Sequence, residues 1–166
     1  MTGGDDWTAW LDAHGPALVL FARQWVPGRA DAEDVVQEAF LRFWRSRHRA
    51  ADPAAYLFAC VRRCALEWLR GQSRRSRREL ASAREEHSDP SLLVGPIEQE
   101  ERRVAIEAAM GQLPAEQREV VVLKIWGELS IPQIASALEV PVNTAASRYR
   151  YALARLRATL SERVTP

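Results

Sequence analysis

The chain has 166 residues, small for two domains and comfortable for one. At 47% hydrophobic and 27% charged it has ordinary globular usage, which excludes a collagen-like or wholly disordered chain. A net charge of +1 and only two cysteines, Cys60 and Cys64, exclude a uniformly charged chain and a disulfide framework.

Apolar residues recur at spacings of three and four, and period-two runs of β-branched residues are absent, so every predicted element is a helix. Trp7, Trp10, Leu11 and His14 open the first one behind Asp5 or Asp6 as N-cap. Gly15-Pro16 predicts a break, after which residues 18–25 continue to a stop at Pro27-Gly28. Asp31 is the expected cap of the next helix, with Glu33 and Asp34 in its first turn. Its apolar side is Val35, Val36, Ala39, Phe40 and Phe43, and the opposite side shows Asp34, Gln37, Glu38 and Leu41. Residues 45–51 form a basic break. Asp52-Pro53 then reads as N-cap plus first-turn proline of a helix striped by Leu57, Val61, Cys64, Ala65, Trp68 and Leu69, expected to end at Gly71.

Residues 72–96 lose apolar periodicity, start with an arginine-serine run and finish at Gly95-Pro96, so they read as a linker, of which the part before His87 can extend the preceding helix. A second helical unit begins near Ile97, with Val104, Ile106, Ala109 and Met110 on one helix and Val120, Val121, Leu123 and Ile125 on the next. Ser130 caps a short helix containing Ile131, Ile134, Ala135 and Leu138. After a turn through Pro141, Asn143 is the expected cap of a last helix with Ala146, Tyr149, Leu153 and Leu156. The fold class is therefore all-α: two small helical domains, residues 5–71 and 97–162, joined by the linker 72–96.

No apolar run nears the ~20 residues that span a bilayer, so membrane insertion is not expected. The acidic N-terminus argues against a secretory signal, and a cytoplasmic protein is expected. Cys60 and Cys64 stand four apart on one helix face, but no histidine spacing completes a zinc site, so both read as small buried hydrophobes. Phosphate-loop, nucleophile-elbow and paired-carboxylate signatures are missing, which leaves neither an enzyme nor a cofactor to predict.

Charge is segregated along the chain. Residues 42–78 hold eleven arginines against two acids, and residues 140–166 hold five against one, while the segments before and between are acidic. Two basic blocks alternating with two acidic ones point to a polyanion for one set and a protein partner for the other. The stretch after Ser130 adds a helix-turn-helix pattern: a short capped helix, a tight turn, and a longer helix with Arg148 and Arg150 near its start. In that geometry the early turns of the second helix enter the major groove, so Asn143, Thr144, Ala145, Ser147 and Arg148 are its candidate DNA contacts.

Asp31-Ala32-Glu33-Asp34-Val35-Val36-Gln37-Glu38-Ala39-Phe40-Leu41-Arg42-Phe43-Trp44 resembles the second conserved region of bacterial RNA polymerase sigma factors of the small extracytoplasmic-function (ECF) type. The stretch from Ala55-Tyr56-Leu57-Phe58 to Trp68-Leu69-Arg70 continues that region. Leu113-Pro114-Ala115-Glu116-Gln117-Arg118-Glu119-Val120, Ile134-Ala135 and Val140-Pro141-Val142-Asn143-Thr144 resemble the fourth. The resemblance implies core RNA polymerase and promoter DNA as partners, no cofactor, and often an anti-sigma factor that holds the protein inactive. It places polymerase binding on Asp34, Gln37 and Glu38. It places −10 element contacts on Arg47, Arg49, Asp52, Arg62, Arg63 and Glu67, and −35 contacts on the helix-turn-helix residues. Arg63 stands where many members carry Asn, and Ala145-Ala146 replaces a commoner Val-Lys. The competing reading is a stand-alone helix-turn-helix regulator that is no polymerase subunit; it leaves the acidic Asp34/Gln37/Glu38 face without a role.

Overall fold

A computed structural model of the chain describes residues 5–79 and 97–164, with side chains for 8–9, 11–76 and 100–161. Seven α-helices and one 3₁₀ turn occupy the described residues: α1 Asp5–Ala22, α2 Arg29–Ser46, the turn Arg47–Arg49, α3 Pro53–Glu79, α4 Ile97–Gly111, α5 Ala115–Ile125, α6 Ile131–Leu138 and α7 Val142–Val164.

Four local expectations are corrected. Helix α1 runs through Gly15-Pro16 without a break. An internal proline costs about 3 kcal/mol, and two features offset it. Gly15 has no Cβ to clash with the proline ring, and the next turns bury Ala17, Leu18, Phe21 and Ala22. Helix α2 starts at Arg29 behind Gly28 with no side-chain cap, which puts Asp31 in the first turn. Helix α3 passes Gly71 and continues to Glu79, the last described residue before position 97. The residues after Gly71 are good helix formers, and one glycine costs only about 1 kcal/mol. Helix α7 opens at Val142, where the Pro141 carbonyl accepts from the Thr144 and Ala145 N–H groups at 3.0 and 3.1 Å, so Asn143 lies inside the first turn. The expected apolar roles of Trp7 and Trp10, and residues 80–96 of the linker, lie outside the described side chains and backbone.

Asp52 and Ser130 cap their helices as expected, and Gln133 adds a reciprocal bond at the second cap. Asp52 Oδ1 accepts from the Ala55 N–H at 3.0 Å and caps α3, a bond worth ~1 kcal/mol. Ser130 and Gln133 form a reciprocal capping box on α6: Gln133 N–H donates to Ser130 Oγ at 3.3 Å and Ser130 N–H donates to Gln133 Oε1 at 2.8 Å. Helix α6 ends at Glu139, held left-handed at φ 56°, with the Val140 N–H reaching back to the Ala135 carbonyl. That reversal sets α7 against α6.

Helix α2 buries Ala32, Val35, Ala39 and Phe43, and packs on α3, which buries Leu57, Phe58, Val61, Cys64 and Ala65. Phe21 meets the Phe58 ring edge-on at 5.7 Å. The same apolar cluster continues into the second half through Val120, Val122, Leu123, Ile134, Ala135, Leu138 and Ala145, because α6 lies on α3 and α5 on α1. A smaller cluster of Leu113, Val121 and Ala152 belongs to the second half alone. The two halves thus share a core.

Candidate nucleic-acid interface

Helix α2 turns Asp34, Gln37, Glu38 and Leu41 to solvent, at spacings that put them on one face. Leu41 is 53% exposed, and Trp44 sits a turn further on. Glu38 accepts from Arg42 Nε at 2.9 Å, and Arg42 Nη1 reaches the Glu67 carboxylate on α3 at 2.9 Å. These two hydrogen bonds, Glu38 first, push the Arg42 guanidinium further above its ordinary range. Both pairs are open to water, so they orient side chains more than they stabilise the fold.

The six basic and acidic residues assigned to the −10 element fall into three settings. Arg47 and Arg49 lie in the 3₁₀ turn, where the Arg47 guanidinium stacks 3.5 Å above the Trp44 ring and donates to the Trp44 carbonyl. Glu67 faces Arg42. Asp52, Arg62 and Arg63 face the second half of the chain. Asp52 Oδ2 accepts from Gln133 Nε2 at 2.7 Å, Arg62 Nε lies 3.4 Å from Glu119 Oε2, and Arg63 pairs with Glu139.

Glu119 is the one charged residue among the described buried set, at 4% exposure. Burial lifts its carboxyl above the usual carboxylate range, and the Arg62 and then Arg148 guanidinium groups pull the other way. Sequence reasoning missed Glu119, Gln133 and Glu139 as partners of Arg62, Asp52 and Arg63. The Gln133 cap was readable from Ser130, but its second bond to Asp52 was not. Glu119 is hidden at the head of an apolar run, where only the packing of α5 shows that it points inward.

On α7, Asn143 is exposed and Thr144, Ser147 and Arg148 are half-buried. Ala145, expected among the DNA contacts, is instead fully buried in the shared core. The apolar stripe of α7 runs through Ala145, Tyr149, Ala152 and Leu156, so Ala146, expected on that stripe from its spacing, is the exposed one. Arg150 and Tyr151 lie on the outer face, with the guanidinium 5.1 Å from the ring.

Cys60 and Cys64 are buried in the α3 core. Burial pushes the Cys64 thiol up to about 11 and raises Cys60 as well, so neither is a reactive thiolate at neutral pH. Among the described residues no cluster of His, Cys, Asp and Glu is placed to hold a metal ion.

The Sigma-70 region 2 family matches residues 10–75, and Sigma-70, region 4 matches residues 103–156. The ECF RNA polymerase sigma factor SigL of Mycobacterium tuberculosis is 33% identical over 162 residues, covering 93% of this chain and 88% of the relative. This chain is an ECF sigma factor. The RNA polymerase sigma-E factor of Streptomyces avermitilis is 32% identical over 150 residues, covering 89% of this chain and 80% of that one. The sigma factor RpoE of Bartonella quintana, solved with the anti-sigma factor NepR, shares the fold at a TM-score of 0.70 and 24% identity, over 97% of this chain and 99% of that one. CnrH, solved with the cytosolic domain of CnrY, superposes at 0.61 with 26% identity, over 96% and 91%.

A sigma factor works with core RNA polymerase on promoter DNA in transcription initiation, and the stand-alone regulator reading is not favoured: region 2 and region 4 are both present, in order. Among the described residues no helix is long and apolar enough to cross a membrane.

Proposed function

We propose that the two halves of this sigma factor divide promoter recognition between them. The solvent-facing Asp34, Gln37 and Glu38 of α2 dock on core polymerase. Arg47, Arg49, Asp52, Arg62, Arg63 and Glu67 engage the −10 element, and the early turns of α7, through Asn143, Thr144, Ser147 and Arg148, engage the −35 element. The units that carry these roles are residues 5–71 and 97–162, joined by 72–96. The protein supplies binding free energy and no covalent chemistry, acts in the cytoplasm, and is restrained by a protein inhibitor.

The observation that carries the reading is the separation of surfaces on one short helix. Helix α2 buries Val35, Ala39 and Phe43 while turning Asp34, Gln37 and Glu38 outward, so that face is available to a partner without disturbing the fold. In this reading the guanidinium groups that follow hold phosphates, and aromatic groups near them, Tyr56 among them, take part in holding unstacked bases. Extruding a base costs a few kcal/mol, which such contacts can offset without a nucleotide-driven motor.

Footprinting of the holoenzyme tests the division. Arg148→Ala is expected to weaken protection upstream and leave the melted region intact. Arg62→Ala with Arg63→Ala is expected to abolish permanganate reactivity of −10 thymines with the upstream footprint retained. Loss of both signals together in either variant would refute the division of labour.

A further inference from the structure

We propose that the cavity between α1, α4 and α5 is a binding site for a small apolar monocarboxylate, a medium-chain fatty acid or an aryl-alkanoic acid. None of the residues assigned to polymerase or promoter DNA lines it, so the inference stands apart from those assignments.

The cavity has a volume of about 240 Å³. An apolar cavity of roughly 150 Å³ takes up benzene, and pockets for drug-sized ligands start near ~300 Å³, so this one suits on the order of ten non-hydrogen atoms. Its apolar walls are Leu20 of α1, Ile106 and Met110 of α4, and Val122 of α5 with the C-cap Trp126. They match an alkyl chain or an aromatic ring, which leaves water on entering. Ile106 is 39% exposed, and this open edge admits a ligand.

Among these walls stand polar groups with nothing to bond. Gln24, on the turn after α1, and Arg118 of α5 both line the cavity. Gln24 Nε2, Gln24 Oε1 and Arg118 Nε are buried without a hydrogen-bond partner. Such groups are costly to leave unpaired, and a shared ligand accounts for them. The two oxygens of one carboxylate accept from Gln24 Nε2 and Arg118 Nε together, and neither nitrogen gives up a bond in turning toward them. The same rotation carries Gln24 Oε1 toward the open edge, where water donates to it. Charge selects the acid over an amine. Of the described residues that line the cavity, Arg23 and Arg118 are cations, and the acid Glu107 already accepts from Arg103 Nη1 at 3.2 Å. The walls come from both halves of the chain, so the occupant is held only by the folded protein and stabilises it by mass action.

The test uses the full chain with carbon-13 in its methionine methyl groups. Met1 and Met110 are its two methionines, so one of two resonances reports the cavity wall directly. Octanoate and 3-phenylpropanoate are titrated beside 1-octanol, octylamine and acetate, which lack the charge, invert it, or lack the apolar body. At least one of the two acids is expected to shift the Met110 resonance to saturation at millimolar concentration or below, to leave Met1 in place, and to raise the melting temperature by a few degrees. The three matched compounds are expected to bind at least five-fold more weakly. Gln24→Leu removes the unpaired carboxamide, so it is expected to raise the melting temperature of the ligand-free protein while weakening acid binding at least three-fold. A variant that merely damages the fold would lower both. Ile106→Trp fills the cavity from its open edge and is expected to abolish the Met110 shift with the helical circular dichroism retained. If either variant misfolds, Arg118→Lys, which keeps the charge and loses Nε, is read in its place, with at least a three-fold loss expected. No Met110 shift with either acid, a shift that never saturates, equal affinity for 1-octanol and octanoate, or undiminished binding in the folded variants overturns the site.

Discussion

Arg62 Nε lies 3.4 Å from Glu119 Oε2, joining a residue of region 2 to one of region 4 through the most deeply buried carboxylate among the described residues. Its burial has a consequence for pH. The Glu119 carboxyl is raised above its ordinary 4.5, by desolvation first, against Arg62 and Arg148 and with Glu116 adding to the rise. The folded protein therefore holds this proton more readily than the unfolded chain. The resulting stabilisation is complete below the unfolded value and is lost as pH rises through the folded one. Glu119→Gln lacks that loss. The melting temperature of Glu119→Gln minus that of wild type is expected to increase between pH 4 and pH 8, and a flat or falling difference would contradict it.

Gly127 is fixed by proximity. A Cβ there would sit 2.7 Å from the Leu123 carbonyl oxygen and 3.1 Å from the Phe58 ring of α3. Gly127→Ala is expected to cost about 1–3 kcal/mol in urea denaturation. A loss under ~0.5 kcal/mol would show that the α5–α6 turn relaxes freely.

Asp34 is exposed on the face opposite the α2 core. Asp34→Lys is expected to lower affinity for core polymerase at least ten-fold while changing stability by less than about 0.5 kcal/mol, as surface substitutions do. Pull-down titration and thermal melting of the same preparation check both halves of this expectation.

The helical class, the two units, the α3 cap and the Ser130 cap of α6 were all legible, because each rests on local chemistry, such as Asp52 before Pro53 and Ser130 before the apolar set that starts at Ile131. The outward face of α2 was legible for the same reason, as period 3.6 separates Val35, Ala39 and Phe43 from Asp34, Gln37 and Glu38. What escaped depends on tertiary packing. Pro16 signals a break unless the turns around it are buried, and Ala145 and Ala146 cannot be told apart until α7 is docked on α6. The ties from Glu119, Gln133 and Glu139 join residues 57 to 81 positions apart, and no periodicity within one helix reports such a distance.

Arg148 is half-buried on α7 and lies in the field of Glu119. Arg148→Ala is expected to weaken the holoenzyme–promoter complex by about 1–3 kcal/mol through loss of a base contact, with the salt dependence nearly unchanged. A uniform weakening across unrelated sequences, with a shallower salt slope, would assign this side chain to phosphate instead.

The most direct measurement is run-off transcription on fragmented genomic DNA with core polymerase, in the presence and absence of this protein, followed by sequencing of transcript 5′ ends. Start sites that depend on the protein and share two sequence elements, one near −10 and one near −35, are the predicted result. Start sites identical to those of core polymerase alone would contradict the account.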